Sequence, residues 1–476
     1  MKFELILPRE LYLTGENISV DVRLTNTGQA AVDAPRLVAR ENAQPVYTLR
    51  GPSYPNGVSF NFRDSRPGAA SVPPPAPSTY RVLPGAHMET GFNLTEIQAL
   101  NAPGEYTLSA RIDWEGWSAE AAPVKFRVEK AKFVEASLGM DVYSRSARSL
   151  RAVWIGESSG RRFLGESFFY ENRPDLGEMK LSETRIIRQI GPKGADPFCP
   201  WVNYDRMSAP KFWHGWREGA ILYAFSDDEQ APRRFDMRSD KARIVHPALM
   251  SESGELDVLV LDGNRKTLRM VRFPAQPEGE NSAAAAWTAE LPEEVAGLRL
   301  GIGPKEQGGS RLAVAVSQHG AKLAIRIIRI RDNAAEISPP LLTDTGYVLH
   351  ESRPAIGFAP DGSMLASVLF AKHPGLRTLA VADVAIPREG EPKVQVTALG
   401  LAPAPVVQAW TEFTATDDPP VRRWLIRTNN EHVLGGQPLV RVNFNAPVVD
   451  LLRMSVATYC LTLDPDHGAR MVPTGF

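Results

Sequence analysis

Apolar and polar residues alternate along this chain with a period of two, in one short run after another. In the stretch ISVDVRLTNTG (18–28), Ile18, Val20, Val22 and Leu24 take every second position, and the run ends at Asn26-Thr27-Gly28. Alternation of this kind puts one face in a core and the other in water, so it predicts a half-buried strand closed by a turn. Residues 102–130 behave alike: Tyr106, Leu108, Ala110 and Ile112 share a face, a turn falls at Glu115-Gly116, and Val124, Phe126 and Val128 follow. Helical periodicity is nearly absent. The alanine-rich segment 282–298 is interrupted by Pro292 and predicts a loop with at most a short turn. The predicted class is all-β.

Beyond residue 130 the pattern becomes a repeat of strands and tight turns. It occurs at 148–171, 212–226, 248–273, 297–330, 353–370 and 406–444, at an irregular interval of roughly fifty residues that divides the region into six or seven units. A sheet of three or four antiparallel strands cannot bury both faces alone. Packing such sheets radially around an axis solves the problem, which predicts a β-propeller, with seven blades favoured over six. The expected organisation is a β-sandwich over 1–130 and a propeller over 131–476. Two incomplete end segments, 133–144 and 448–472, would combine into a composite closing blade and so remove a free edge. The Pro-, Ala- and Ser-rich stretch 65–80 predicts a surface loop.

Two stretches resemble known families. The 18–28 strand, and the Pro103-Gly104-Glu105-Tyr106 start of the 102–130 pair, resemble the second strand and the last two strands of bacterial immunoglobulin-like modules, without the paired cysteines of antibody domains. Pro354–Ala366, PAIGFAPDGSMLA, resembles the strand-turn-strand signature of the TolB and prolyl-oligopeptidase propellers, a WD-repeat-like group. In that signature Phe358 ends the innermost strand and Pro360-Asp361-Gly362 makes the turn. The resemblance implies a propeller. It implies no catalysis, because that group's chemistry belongs to a separate α/β-hydrolase domain for which no residues remain.

Composition narrows the function classes. The 476 residues are 43% hydrophobic and 23% charged, an ordinary globular balance, and the net charge of −1 offers no general attraction for nucleic acid or an anionic membrane. Cys199 and Cys460 are the only cysteines, which excludes a disulfide scaffold and a paired-cysteine zinc site; two buried free thiols are expected, with a pair as the alternative if the fold joins the chain ends. No apolar run reaches the roughly 18 residues of a membrane span. The first apolar run, Phe3–Leu7, contains Glu4 and stops at Pro8, so no export signal is expected; the expected location is cytoplasmic, or outside by a signal-independent route.

Candidate chemistry is sparse. Gly156-Glu-Ser158-Ser-Gly160 matches a nucleophile elbow, but a strand rather than a helix follows it, so a polar hairpin turn is expected. The glycine-rich 301–309 lacks the lysine-serine pair and the following helix of a P-loop, 464–468 reads as a turn rather than a calcium loop, and the eight histidines show no metal spacing. The basic run 233–243 reads as a solvated strand face, with a phosphate-binding track as the alternative. The aromatic-rich stretch 196–216 supplies the candidate binding residues Trp201, Tyr204, Trp213 and Trp216. Exposed, such rings anchor protein partners or sugars; otherwise they pack between blades. No catalytic residue, cofactor or metal is assigned. The expected function is a non-enzymatic binding or scaffold protein with a protein partner, a component of a larger bacterial assembly. A propeller glycan hydrolase or lyase, or a carbohydrate-binding lectin, are the alternatives.

Overall fold

The computed structural model describes residues 1–38, 43–63, 79–142, 148–173, 178–203, 213–226, 229, 231–251, 254–275, 283–302, 311–331, 334–349, 353–358, 363–387, 390–413, 422–430, 433–435, 440–453 and 458–474. The chain is all-β: among these residues forty strands accompany one helix, Leu94–Ile97. It forms two compact units, one of residues 1–132 with 183–186, the other of 133–182 with 187–476.

In the first unit, Lys2–Ile6, Ser19–Thr25 and His87–Asn93 form one sheet. Leu11–Leu13, Trp117–Glu129, Gly104–Trp114, Val46–Gly51 and Tyr54–Phe60 form another. The alternation read from sequence is the burial pattern observed. Val20, Val22 and Leu24 are fully buried, as are Leu108 and Ile112, and together with Tyr106 they enter one core built from both sheets. The buried Glu16 carboxylate pairs with Arg9 and accepts from the backbone of Leu13 (2.9 Å) and Ile186 (2.6 Å).

The second unit is a succession of mostly antiparallel strand groups in chain order. Lys132–Val142, Arg148–Ser158, Arg161–Arg173 and Glu178–Ile190 make the first, and Gly194–Phe198, Trp213–Glu218, Ile221–Ser226 and Arg233–Asp236 the next. Arg243–Met250, Leu256–Leu261, Thr267–Phe273 and Ala284–Glu290 follow, joined to the first group by Pro200–Asn203, which pairs in parallel with both Lys132–Val142 and Arg243–Met250; then come Val295–Ile302, Arg311–His319, Lys322–Arg331 and Ala334–Ile337. Beyond them come the sheet that includes Tyr347–Val348 and Ala355–Phe358, the sheet beginning at Val406–Phe413, and a final one of Val448–Arg453, Thr458–Asp464 and Gly468–Pro473. Each sheet is buried against its successor through a shared apolar cluster. Trp213, Leu222 and Ala224 meet Val258, Val260 and Phe273, for example, while Val314 and Ile325 meet Val368 and Ala382. Central strands buried on both faces explain continuous apolar runs such as 258–261, where alternation disappears.

Close approach of the first strands of neighbouring sheets depends on glycine. A Cβ on Gly357 would lie 2.9 Å from the Phe413 ring, and one on Gly301 would lie 2.8 Å from Ile356. Ion pairs also join successive sheets. Buried Asp257 accepts two bonds from Arg272 of its own sheet (2.8 and 3.1 Å) and another from Arg311 of the next; Asp383 accepts from Ser367 and from Arg422 in the same way.

Several local expectations can be placed. Ser158 and Arg161 are paired across a two-residue hairpin turn with positive φ at Ser159 and Gly160, so the elbow-like motif is a turn. Residues 464–468 form a turn in which Asp464 accepts from the Asp466 and His467 amides. The alanine-rich segment is no loop: Ala284–Glu290 is the last strand of its sheet, and Trp287 is buried there. Pairing with Thr267–Phe273 overrides the helix preference of alanine. Ala355–Phe358 and Met364–Ala371 pair as expected, and the Pro360-Asp361-Gly362 turn between them lies outside the described residues. Among the described residues, the segment 133–144 does not share a sheet with 448–472. Lys132–Val142 lies beside Arg148–Ser158 and pairs in parallel with Pro200–Asn203, while the Phe133 amide donates to the Pro465 carbonyl (2.9 Å).

Candidate functional site at the mouth of the first strands

Trp213 and Trp216 do not form an exposed platform. They sit three apart on one strand and therefore point to opposite faces, each covered by a neighbouring sheet. Trp213 is 0% exposed and donates to the Gly254 carbonyl (3.0 Å); Trp216 is 3% exposed, stacks on Tyr223 and donates to Glu218 (2.7 Å). Trp201 lies on the strand Pro200–Asn203, and Tyr204 falls outside the described residues.

Polar chemistry gathers elsewhere, around a cavity of about 700 Å³ inside the second unit, at the end where the first strands of its sheets begin. Its wall includes Asp196, His246, Arg299, Arg353, Gln408 and Asp450, drawn from successive sheets. A common backbone device brings them there. The ladder of the first strand slips between Ala195 and Phe198, Val245 and Leu249, Val295 and Gly297, Val406 and Gln408, and Val448 and Asp450. Irregularities of this kind leave residues unpaired and re-aim their side chains. Asp196, His246, Gln408 and Asp450 are all at or within such slips. At His246 the cause is visible in the sequence, because Pro247 has no amide to give to the ladder.

The groups are held by one another. The Arg353 guanidinium contacts the Asp450 carboxylate at 3.1 Å, while the Arg353 backbone amide donates to the Ala409 carbonyl. Asp450 also accepts from the Leu451 amide (2.9 Å). Deeper in, Arg299 donates to Glu412 (2.6 Å), and both are buried. Burial pushes the Glu412 carboxyl up, and the Arg299 charge opposes that shift. His246 Nδ1 lies 3.2 Å from the Ser137 hydroxyl. Burial, reinforced by the nearby Arg353 charge, pushes the His246 imidazole down to about 4, so it is neutral at physiological pH. On the other side, Arg217 donates to Asp196, whose own amide donates to Glu135.

Sequence reading assigned none of these residues. Single charges on separate strands, some fifty residues apart, carry no local spacing signal. The basic run 233–243 did mark part of the wall, since Lys241 and Arg243 line the cavity.

No family model matches this chain, and no curated protein matches it in sequence. Among solved structures it is similar to the dihydro-heme d1 dehydrogenase NirN, at 10% identity with a TM-score of 0.36, covering 74% of this chain and 68% of that one. It is also similar to a protein of unknown function from Dyadobacter fermentans, at 11% identity and a TM-score of 0.31, covering 72% and 94% respectively. The rhamnogalacturonan lyase YesW overlaps 99% of this chain and 82% of its own at 11% identity, with a TM-score of 0.22. Overlaps this loose between chains do not assign a function.

Proposed function

We propose that the second unit is a seven-bladed β-propeller whose central opening binds a small polar molecule, following an N-terminal immunoglobulin-like sandwich. Support for the propeller reading comes from the serial sheets, each sharing a core with the next, with the final three-stranded sheet meeting the start of the first at Phe133 and Pro465. The observation that carries the function is the convergence of His246, Arg299, Arg353, Gln408 and Asp450 from separate sheets on one cavity. Pockets of this size with convergent polar groups and a displaced pKa are where ligands bind. A protein-docking platform has less support: the exposed large apolar side chains, such as Leu342, Val396 and Leu401, stand on outer strands away from this wall.

The test is to block the opening. Ala296 lines the cavity, and Ala296→Trp fills it. Native mass spectrometry of the protein purified from its own cell should find a small molecule on the unaltered chain and none on Ala296→Trp. A Val396→Trp control on an outer strand should retain it. Absence of any bound molecule, or equal retention by Ala296→Trp, would sink the reading.

Catalysis on the bound molecule is a second reading, favoured by His246. It is neutral, oriented by Ser137 through Nδ1, and its Nε2 has no protein partner among the described residues. With Nδ1–H donating to the Ser137 hydroxyl, the free Nε2 lone pair is the proton acceptor this reading requires. His246→Gln should then abolish turnover while leaving binding within about threefold; equal turnover would exclude the role.

A further inference from the structure

The charges around the opening are not balanced, and the imbalance points to the chemistry of the ligand. Three cations of the wall have carboxylate partners: Arg217 with Asp196, Arg353 with Asp450, and Arg299 with Glu412. Three others in the same wall, Lys241, Arg243 and Arg265, have no ion-pair partner among the described residues. The carboxylate of Asp240 is the one acidic group of the wall similarly without an ion pair there. A chain of net charge −1 thus concentrates unpaired positive charge on one side of its cavity.

These three side chains are brought together by strand register, at the point where the strand Leu256–Leu261 runs past the start of Arg243–Met250 and turns into Thr267–Phe273. Arg243 opens its strand opposite Leu261, and the chain turns immediately after Leu261 through Asp262-Gly263-Asn264 to Arg265. Gly263 has no side chain to hold Lys241 away, since a Cβ there would lie 2.9 Å from the Lys241 Cβ. The turn is fixed before any ligand arrives. Asn264 accepts from the Lys266 (2.9 Å) and Thr267 (3.0 Å) amides, and the Arg265 amide donates to Asp262 (2.8 Å). Arg265 Nε donates to the Val295 carbonyl (2.8 Å), which anchors the guanidinium while its two terminal nitrogens make no bond to protein among the described residues. Preorganised guanidinium and ammonium groups in a concave site are the donors that recognise carboxylates and phosphates.

We propose that the molecule bound in the opening is an anion carrying a carboxylate or phosphate group, seated on Lys241, Arg243 and Arg265. Its neutral polar part lies toward His246, Gln408 and Asp450. This inference rests on the reading of the opening as a ligand site, and the experiment separates the two.

Citrate, inorganic phosphate and glucose serve as probes at constant ionic strength, read by the shift in unfolding temperature and, for phosphate, by ³¹P line broadening. At least one anion should stabilise the protein at millimolar concentration, and glucose should not. Protection by citrate alone identifies a carboxylate site, and protection by phosphate alone a phosphate site. Arg243→Glu and Arg265→Glu should each weaken anion binding at least tenfold. Arg243→Lys should retain most of it, and neither Arg243 variant should lower the unfolding temperature of the free protein, because no ion pair is broken. Failure of both anions to protect, or undiminished protection in both charge reversals, overturns the inference. If a native molecule is lost from Ala296→Trp but neither anion binds, the opening remains a ligand site and only its anionic character falls. If anion binding is abolished by the charge reversals yet survives Ala296→Trp, the basic cluster stands and the opening as its seat falls.

Discussion

His246 shows how position alone changes a side chain. An imidazole in water takes up its proton near pH 6.5, whereas burial and the neighbouring Arg353 charge hold this one down at about 4. Below pH 6.5 the unfolded chain binds a proton that the folded chain refuses, so stability falls as pH drops from 6.5 to about 4 and is level again beneath that. The full displacement corresponds to a loss of about 3 kcal/mol. Urea unfolding between pH 7 and 4 measures it: His246→Gln, which has no proton to gain, should show a flatter profile by about that amount. A profile as steep as the original would mean that other groups carry the dependence. The slip in the ladder at Pro247 gives this residue its position, and proline's missing amide is legible in the sequence. The partners Ser137 and Arg353, 109 and 107 residues away, are not.

At the scale of the strand, the ion pairs joining sheets carry a definite energetic expectation. Asp257 is wholly buried and satisfies both Arg272 and Arg311. Removing it in Asp257→Ala leaves Arg311 without its counterion and Arg272 with only the more distant Glu255 (4.0 Å), an effect of about 3–5 kcal/mol for a buried pair. Arg311→Met should cost less, because Arg272 still compensates the carboxylate. Denaturant midpoints of the two variants give the comparison, and equal losses would contradict this account. Strands themselves were largely legible. Val20, Val22 and Leu24 alternate and are buried as the pattern requires. The reading failed at Ala284–Glu290, where local composition favours a helix and only the neighbouring strand supplies the hydrogen bonds that make it a strand.

At the scale of the molecule, stability resides in the apolar layers between sheets. Trp213 fills the layer between its sheet and the next, beside Phe273 and beneath the Arg233 guanidinium. Trp213→Ala should destabilise by about 3–5 kcal/mol, seen as a lowered unfolding temperature. The variant protein that remains folded should keep whatever occupies the opening, because the ring lies inside the layer rather than in the cavity wall. A selective loss of ligand without loss of stability would return Trp213 to the role of a binding residue.

The sequence by itself determined the all-β class, the rhythm of strand and turn, and which faces are apolar, since those follow from the side-chain period of an extended backbone and from turn chemistry within a few residues. The inward or outward direction of Trp213 and Trp216 was decided only when sheets covered both sides of their strand. The cavity is likewise a product of tertiary structure. Arg299, Arg353 and Asp450 are unremarkable charges in three separate runs, and they become one polar wall because successive sheets converge where their first strands begin. Spacing along a chain encodes what neighbours in sequence can do together. Groups more than fifty residues apart acquire a shared chemistry only after packing has removed the water between them.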